Sequence, residues 1–139
     1  MNKVLFLDEI SDPGNLGTLL RTALAFGYKD VILNGGCSQY NEKVLQATQG
    51  AIFKLNIVNN LDLKELKDYE ILATEIKGST ELSQVKVSDK FVLVLGNEAH
   101  GVSQKILSLA SKRIRIDIND IESLNVAIAG AIAMYKLSN

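Results

Sequence analysis

The sequence predicts an α/β domain with a mostly parallel sheet flanked by helices. Short apolar runs alternate along the chain with segments in which apolar residues recur every three or four positions, the order typical of strands and helices in a parallel sheet. With 139 residues, 47% of them hydrophobic, the chain is long enough for one compact domain to bury its own core. No repeat, linker or low-complexity stretch divides it. We therefore expect one domain over residues 1–139.

Six apolar runs are predicted as strands, and the first is typical of a buried strand because it is continuously apolar. They cover residues 3–7, 31–33, 52–58, 70–74, 90–95 and 113–116. Each is short, and each is followed by polar or glycine residues that predict its end.

Five segments are predicted as helices, over residues 13–27, 41–50, 61–67, 104–110 and 124–137. Asp12 is placed to cap the first helix and Pro13 to begin it, while Asn41 and Ser103 are placed to cap the second and the fourth. Residues 76–88 are predicted to form a polar loop that contains at most a weak turn of helix.

The composition excludes several classes of protein. One cysteine, Cys37, cannot form an intramolecular disulfide, and with one histidine, His100, a zinc site of four cysteine and histidine ligands is excluded, so we expect no metal. The longest apolar run, residues 126–134, is too short to span a membrane, and the first residues lack a secretory pattern. We expect a cytoplasmic protein without a membrane partner.

Charge and aromatic content also limit the function. The net charge is -1, so no global basic field indicates a nucleic-acid partner. Aromatic residues make up 6% of the chain and tryptophan is absent, which argues against a platform that stacks single-stranded bases. If the protein acts on nucleic acid, we expect another chain or domain to help hold it.

The first polar cluster lies just after the first strand. In a helix, Gly14, Gly17 and Arg21 lie along one stripe, with Asn15 beside them. Glycine costs about 1 kcal/mol relative to alanine inside a helix, so we expect another backbone or a ligand to approach this stripe closely. A capped turn followed by a solvated arginine explains the cluster equally well.

The second cluster is a loop between Gly96 and Gly101. In open α/β sheets, ligands bind beyond the carboxyl ends of the strands, and glycines there let the backbone approach a ligand. Glu98 in this loop could contact a ligand, pair with an arginine or cap the following helix. We expect His100 to be an exposed loop residue, because nothing nearby in the sequence orients it.

The third cluster joins the last strand to the last helix. Ser123 and Asn125 are predicted to open a helix of small residues, which allow close packing or leave room for a crossing segment. A capping serine before an ordinary buried helix explains the cluster on its own. The chain has neither a P-loop nor a complete Gly-x-Gly-x-x-Gly, which disfavours phosphate binding of those kinds.

In this order and at this spacing, the clusters resemble the SpoU branch of the SPOUT methyltransferases, which methylate ribose 2'-hydroxyls of tRNA or rRNA. The resemblance rests on three motifs, Asp-Pro-x-Asn-x-Gly-x-x-x-Arg over residues 12–21, Leu-Gly-Asn-Glu-x-x-Gly over residues 95–101, and Ser-Leu-Asn-Val over residues 123–126. Residues 41–53 are similar to a further recurrent segment of the branch. Three ordered motifs are far more specific than any one of them.

The resemblance implies a SPOUT fold, in which the C-terminal segment threads through a loop as a deep trefoil knot. Knots are rare among protein topologies, so only the family resemblance supports this expectation. It also implies S-adenosylmethionine as cofactor, no metal, and a homodimer across which the active site is completed. The implied activity is methylation of a ribose 2'-hydroxyl in a tRNA or rRNA substrate.

The resemblance also assigns roles to residues. Arg21 would contact or activate the 2'-hydroxyl, Asn15 would orient Arg21 or a substrate phosphate, and Glu98 would organise its loop or pair with Arg21. Ser123 and Asn125 would bind substrate or cofactor near the transferred methyl group. The expected cofactor contacts are Leu95, Gly96, Gly101, Ile116, Ile118 and Leu124, with Thr74 as a weaker candidate.

Some features depart from the family pattern. Residues 116–118 read Ile-Asp-Ile where the family usually has an Ile-Pro-Met-like segment, the loop before Ser123 is one residue shorter, and Ala127 stands where a serine is often found. The chain begins at the first strand, so we expect a catalytic domain without the N-terminal RNA-binding domain of many relatives. The alternative is a catalytically silent RNA-binding or ribosome-assembly protein that retains the knotted fold.

Overall fold

The computed structural model describes residues 2–138 and contains one sheet of parallel strands within that range. The sheet order is β3-β2-β1-β6-β4-β7-β5, and every neighbouring pair is parallel. The strands are β1 (Asn2–Asp8), β2 (Asp30–Asn34), β3 (Asn56–Asn59), β4 (Glu70–Thr74), β5 (Thr80–Glu81), β6 (Lys90–Gly96) and β7 (Lys112–Arg115). The predicted fold class is confirmed.

Helices cover both faces of the sheet. They are α1 (Pro13–Ala25), α2 (Glu42–Thr48), α3 (Gln104–Leu107) and α4 (Val126–Leu137), with short 3₁₀ helices η1 (Ala51–Lys54), η2 (Leu63–Glu65) and η3 (Leu82–Gln84). As predicted, Asp12 caps α1, where its Oδ2 accepts a hydrogen bond from Asn15 N at 2.9 Å, and Pro13 begins the helix. No helix within residues 2–138 is long and apolar enough to cross a bilayer.

Several predicted boundaries were wrong. Residues 52–58 do not form one strand, because Gln49 and Gly50 are both left-handed and turn the chain into η1 before β3 begins at Asn56. The helix predicted over residues 61–67 is only η2, and the polar loop contains the short edge strand β5.

The last two helices are also shorter than predicted. Helix α3 ends at Leu107, and the Ser103 side chain makes no capping hydrogen bond to it. Helix α4 begins at Val126 because Asn125, not Ser123, is its capping residue, with Oδ1 accepting from Ala127 N and Ile128 N at 2.8 and 3.2 Å.

The core has two layers that follow the alternation of side chains along β1 and β6. Leu5 and Leu93 point to the face covered by α1, α2 and α4, whereas Phe6 and Val94 point to the face covered by α3 and η2. Gly130 allows α4 to lie close against α1 and β6, since a Cβ atom there would lie 2.6 Å from side-chain carbons of both Leu19 and Leu95. The C-terminal helix is therefore firmly seated on the sheet.

The chain changes direction in the sheet at β1. The strands that follow β1 are added on one side through β2 and β3, whereas β6 pairs with the other side of β1. The carboxyl ends of β1 and β6 are in register, with Asp8 opposite Gly96. Such a switch point is where open α/β sheets bind ligands.

Candidate active site at the carboxyl ends of β1 and β6

The carboxylate of Glu98, in the loop after β6, accepts four hydrogen bonds from the start of α1. Its Oε1 accepts from Ser11 N at 3.1 Å and Ser11 Oγ at 3.0 Å, and its Oε2 accepts from Asp12 N at 2.8 Å and Asn15 Nδ2 at 3.2 Å. Glu98 therefore organises the two loops at the switch point. The other predicted role, a pair with Arg21, is not found in the structure.

Asn15 connects this carboxylate to the third motif. Its Oδ1 accepts a hydrogen bond from Asn125 Nδ2 at 3.1 Å, while its own Nδ2 donates to Glu98. The donor and acceptor roles along this series of hydrogen bonds are fixed at both ends. At one end the first N–H groups of α4 donate to Asn125 Oδ1, and at the other the Glu98 carboxylate can only accept. Residues separated by 83 and 110 positions in the sequence are thus held in one network, here called the polar junction: Asn15, Glu98 and Asn125.

The polar junction stabilises the ionised form of Glu98. Partial burial acts to raise the pKa of this carboxyl group, but hydrogen bonds from the backbone of Asp12, Ser11 and Glu98 itself and from the Asn15 side chain outweigh it. The pKa is lowered from 4.5 to about 2. Glu98 is therefore an acceptor at neutral pH and does not carry a proton to donate.

Asn97 organises the same loop and was missed by the sequence reasoning. Its Oδ1 accepts from Ala99 N at 2.8 Å and His100 N at 3.1 Å, and its Nδ2 donates to the Glu9 carbonyl at 2.8 Å. Its backbone forms an isolated bridge with Gly101, which closes the loop. An asparagine directly after a strand, two residues before the N–H groups it accepts from, is the usual signal of such a turn.

Asp8 is a second residue that the sequence reasoning missed. This buried carboxylate accepts from Asn34 Nδ2 at 2.9 Å and from Ser103 N at 2.8 Å, so it joins the end of β2 to the start of α3. The Ser103 N–H is one of the groups that a helix start leaves without an intrahelical partner, and Asp8 satisfies it. Asp8 closes a predicted apolar strand, and an acid at that position was the available signal.

The glycines of the motifs serve close packing within the chain. A Cβ atom at Gly17 would overlap the Cβ of Ala47, so α1 and α2 cross in contact at that point. The expected close approach on this stripe is therefore that of another helix. A Cβ atom at Gly96 would overlap the backbone of Gly101 and Val102, and Gly101 has a φ of 70°, which favours glycine.

Arg21 and Ser123 lie outside the polar junction. Arg21 is exposed, and its guanidinium forms no hydrogen bond or ion pair with any residue from 2 to 138. It lies six residues after Asn15, or about 9 Å further along α1. Ser123 is exposed two residues before the α4 cap, and its hydroxyl has no hydrogen bond in the described range. The structure therefore brings together three of the five predicted catalytic residues.

The predicted cofactor residues lie at the carboxyl ends of neighbouring strands. Leu95 and Gly96 end β6, Thr74 ends β4, and the Thr74 hydroxyl donates to the Val94 carbonyl at 3.1 Å. Ile116 follows β7. Residues 117–124 make no backbone–backbone hydrogen bond among the described residues, although Ile118 and Leu124 in this segment are half-buried. Their N–H and C=O groups are available to a ligand.

Two cavities lie elsewhere. The larger, about 400 Å³, is lined by Leu63, Tyr69, Ile71 and Leu109 among others, beside the start of β4 and far from Gly96. The smaller, about 240 Å³, lies on the face of the sheet that carries α3. Neither contains a predicted site residue. No group of His, Cys, Asp and Glu within residues 2–138 could hold a metal ion, and His100 is exposed as expected.

Named relatives cover almost the whole chain. The 23S rRNA (guanosine(2553)-2'-O)-methyltransferase RlmP of Bacillus subtilis (strain 168) is 34% identical over 142 residues, which cover 97% of this chain and 57% of that protein. The AdoMet-bound rRNA methyltransferase from Sinorhizobium meliloti is 31% identical with a TM-score of 0.90, over 97% of this chain and 55% of that chain. The SpoU methyltransferase AviRb from Streptomyces viridochromogenes, in complex with AdoMet, is 25% identical with a TM-score of 0.88, over 98% of this chain and 56% of that chain.

The family match covers the same region of the chain as the three motifs. This chain spans only somewhat more than half of the length of these relatives. The profile of the SpoU rRNA Methylase family matches residues 2–135, which include all three motifs and the polar junction. The resemblance inferred from the sequence is thereby confirmed, and the chain belongs to the SpoU rRNA methylase family.

Proposed function

We propose that this chain is the catalytic domain of an enzyme that transfers a methyl group from S-adenosylmethionine to a ribose 2'-hydroxyl in rRNA or tRNA. The observation that carries the proposal is the polar junction, in which Asn15, Glu98 and Asn125 from three separate motifs form one hydrogen-bonded series at the switch point. An rRNA 2'-O-methyltransferase and AdoMet-bound methyltransferases among the relatives support the same reaction. An intact junction gives the catalytically silent alternative no support.

The residues present fit the cofactor. The segment of residues 117–124 offers backbone donors and acceptors that residues 2–138 do not use, and Asn125, directly after it, is linked through Asn15 to Glu98 in the glycine loop after β6. We assign Leu95, Gly96, Gly101, Ile116, Ile118 and Leu124 to hold S-adenosylmethionine, with Thr74 beside them. The cofactor supplies an electrophilic methyl group when bound, and the reaction requires no metal.

Arg21 is assigned to the reacting oxygen. A ribose hydroxyl is a poor nucleophile at neutral pH, so its proton must leave as the oxygen attacks. Arginine stays protonated in nearly all protein environments, so we assign Arg21 to orient the hydroxyl and a neighbouring phosphate, whose oxygen accepts the hydroxyl proton, and to stabilise negative charge on the reacting oxygen. Its guanidinium is exposed and has no partner within residues 2–138, which leaves its donors for RNA. Ser123 and Asn125 are assigned to the neighbouring substrate or cofactor groups.

We further propose a homodimer that pairs through α4. Ile128 and Ile132 are 54% and 42% exposed and lie on one stripe with Tyr135, which packs edge-on against Phe26. Aliphatic side chains that continue along a helix face suit burial against a second helix. Sedimentation at micromolar concentration should give about twice 15.2 kDa, and Ile128→Asp should give the monomer. A wild-type monomer would also contradict a site shared across the dimer.

The remaining expectations follow from the family. We propose that the C-terminal segment threads through a loop as the trefoil knot of SPOUT proteins, that residues 1–139 act as the single catalytic domain, and that the protein works in the cytoplasm, where its RNA substrates are found. Calorimetry with S-adenosylhomocysteine, together with transfer of labelled methyl groups to bulk tRNA and rRNA, tests the activity. Saturable binding at one site per subunit and labelled RNA are expected. Binding without transfer would favour the silent alternative.

A further inference from the structure

Two exposed aromatic rings flank α2 in the sequence: Tyr40 lies just before it, and Phe53 lies in η1, after the turn that follows it. Tyr40 is 76% exposed and Phe53 is 87% exposed, the two largest values for big apolar side chains within residues 2–138. Single exposed apolar residues are common on proteins, so exposure alone carries no conclusion. Two further features of these rings indicate a function: the backbone that carries each ring is held in place, and the side chains between the rings are mainly polar.

Tyr40 is carried by a loop that is fixed to the candidate active site. A Cβ atom at Gly36 would overlap the Ile10 carbonyl oxygen, and Cys37 N donates to the same oxygen at 2.8 Å. Ile10 directly precedes the backbone N–H groups that hold Glu98. The loop before α2 and the polar junction therefore form one packed unit.

Phe53 is carried by the other end of the same unit. Helix α2 crosses α1 in contact at Gly17, and the left-handed pair Gln49 and Gly50, with φ of 51° and 85°, turns the chain sharply into η1. Phe53 N donates to the Gly50 carbonyl at 3.2 Å, which fixes the backbone that carries the ring. Helix α1, which carries Asn15 and Arg21, also packs against η1.

The surface between the rings is polar and slightly basic. Its exposed side chains are mainly amides and lysines, namely Asn41, Lys43, Gln46, Gln49 and Lys54, with Glu42 as the one acid over residues 38–54. Leu45, 38% exposed, is the one exposed aliphatic side chain in this range. This contrasts with the exposed stripe of α4, formed by Ile128, Ile132 and Tyr135, which is apolar along its length and suits a second protein helix. Separate rings among amides and lysines suit nucleic acid, because bases stack on aromatic faces while amides and ammonium groups contact phosphate and sugar.

We propose that Tyr40, Phe53, Lys43 and Lys54 form a surface that binds unpaired RNA nucleotides flanking the methylated one, with the two rings stacking on bases. The proposal rests on the proposed function, since it takes RNA as the substrate and places these nucleotides beside Arg21. The low aromatic content of the chain argues against an extended platform, but two rings are enough for two bases.

Binding to a short RNA tests the surface directly. We expect a fluorescein-labelled, unpaired RNA of about 12 nucleotides to bind the wild-type protein more tightly than the same strand annealed to its complement. Tyr40→Ala and Phe53→Ala should each weaken binding to the single strand by about 5-fold or more, measured by anisotropy. Val58→Ala, another exposed apolar position outside this surface, is the control and should bind as wild type.

Conservative variants separate stacking from other contacts. Phe53→Trp should keep wild-type binding, whereas Phe53→Leu should bind as poorly as Phe53→Ala, because leucine is apolar but has no ring face. Wild-type binding by Phe53→Leu would overturn the stacking proposal. A loss of the dimer in the variant that combines Tyr40→Ala and Phe53→Ala would also overturn it, because the surface would then bind a second copy of the chain.

Methyl transfer distinguishes this inference from the proposed function. The combined variant should raise the KM for RNA while its kcat and its affinity for S-adenosylhomocysteine stay as in wild type. If the wild type methylates RNA and the combined variant has an unchanged KM, the surface is wrong and the function stands. If the wild type transfers no methyl group but the ring variants lose RNA binding, the function is wrong and the surface stands.

Discussion

The two parts of the candidate active site differ in how much the chain itself holds them. The polar junction is saturated with internal hydrogen bonds, so that every polar side-chain atom of Asn15 and Asn125 has a partner within the chain. Arg21 and the backbone of residues 117–124 have no such partners among the described residues. The first part is a scaffold that is complete without substrate, whereas the second offers its donors to other molecules. Truncation of a side chain in the scaffold should therefore lower stability, whereas substitutions at Arg21 should lower activity alone.

The largest expected effect is on methyl transfer by Arg21→Ala. Loss of a donor that stabilises charge on the reacting oxygen should lower the rate by a factor of about 100 or more. Because Arg21 has no partner within residues 2–138, the free energy of unfolding measured in urea should match wild type. Affinity for S-adenosylhomocysteine should change by no more than about 3-fold.

Arg21→Lys sharpens the same comparison. Lysine keeps the charge but loses the planar fork that binds ribose and phosphate together. If Arg21→Lys is as inactive as Arg21→Ala, the guanidinium positions ribose and phosphate through two hydrogen bonds. If Arg21→Lys recovers much of the wild-type rate, the positive charge alone is sufficient. A wild-type rate for Arg21→Ala would show that Arg21 is not a catalytic residue, and the roles of Glu98 and Ser123 would have to be reconsidered.

Gly17→Ala should destabilise the fold at the crossing of α1 and α2. The added Cβ atom would overlap the Cβ of Ala47, and forced overpacking costs about 1–3 kcal/mol. Combining it with Ala47→Gly removes the overlap and should recover part of the loss, as measured by urea unfolding. If Gly17→Ala alone is as stable as wild type, the close helix crossing is not rigid.

Substitutions at Asn125 can separate its two roles, which are capping α4 and donating a hydrogen bond to Asn15, here called the tether. Asn125→Ala removes both and should lower the free energy of unfolding by about 1 kcal/mol or more. Asn125→Asp keeps the oxygen that caps α4 but places a second oxygen against Asn15 Oδ1. It should retain most of the stability and lose methyl transfer. Equal activity in Asn125→Asp and wild type would show that the tether has no role in the reaction.

The smallest expected effect is the pH dependence that Glu98 gives to stability. Its pKa is lowered from 4.5 to about 2, so the folded state holds the ionised form more strongly than the unfolded chain does. The contribution to stability is present above the unfolded pKa and is lost as the pH falls from about 4.5 through about 2. Glu98→Gln should reduce this loss, whereas Glu65→Gln, on the exposed surface of η2, should not. The effect is small because the carboxylate is largely exposed.

The sequence predicted the parts of the molecule that depend on local signals. The cap of α1 by Asp12 and the start at Pro13 follow from residue types within one turn, and so do most of the strands. The run at residues 52–58 was misread because the left-handed turn at Gln49 and Gly50 overrides its apolar character and leaves Phe53 in solvent. Strand order was not predicted, because it depends on contacts between distant parts of the chain.

For the site, the sequence predicted several of the residues but not which groups they form hydrogen bonds with. Asn15, Glu98 and Asn125 stood out within motifs, yet only the fold shows that Glu98 bonds to the start of α1 and not to Arg21. Asn97 and Asp8 were missed because their hydrogen bonds go to backbone groups or to an asparagine on a neighbouring strand. Such partners leave no charge pairing in the sequence, and the position of a polar residue directly after a strand does not identify the group that it bonds to.

Transfer of labelled methyl groups to RNA, followed by alkaline hydrolysis, tests the central claim most directly. A methyl group on the ribose 2'-oxygen blocks its attack on the adjacent phosphate, so the bond survives alkali and the label is recovered in dinucleotides. If the protein methylates a ribose 2'-hydroxyl through Arg21, the label is found in alkali-resistant dinucleotides with wild type and is almost absent with Arg21→Ala. Label recovered in mononucleotides, which would mean methylation of a base, or no label in any RNA, would contradict it.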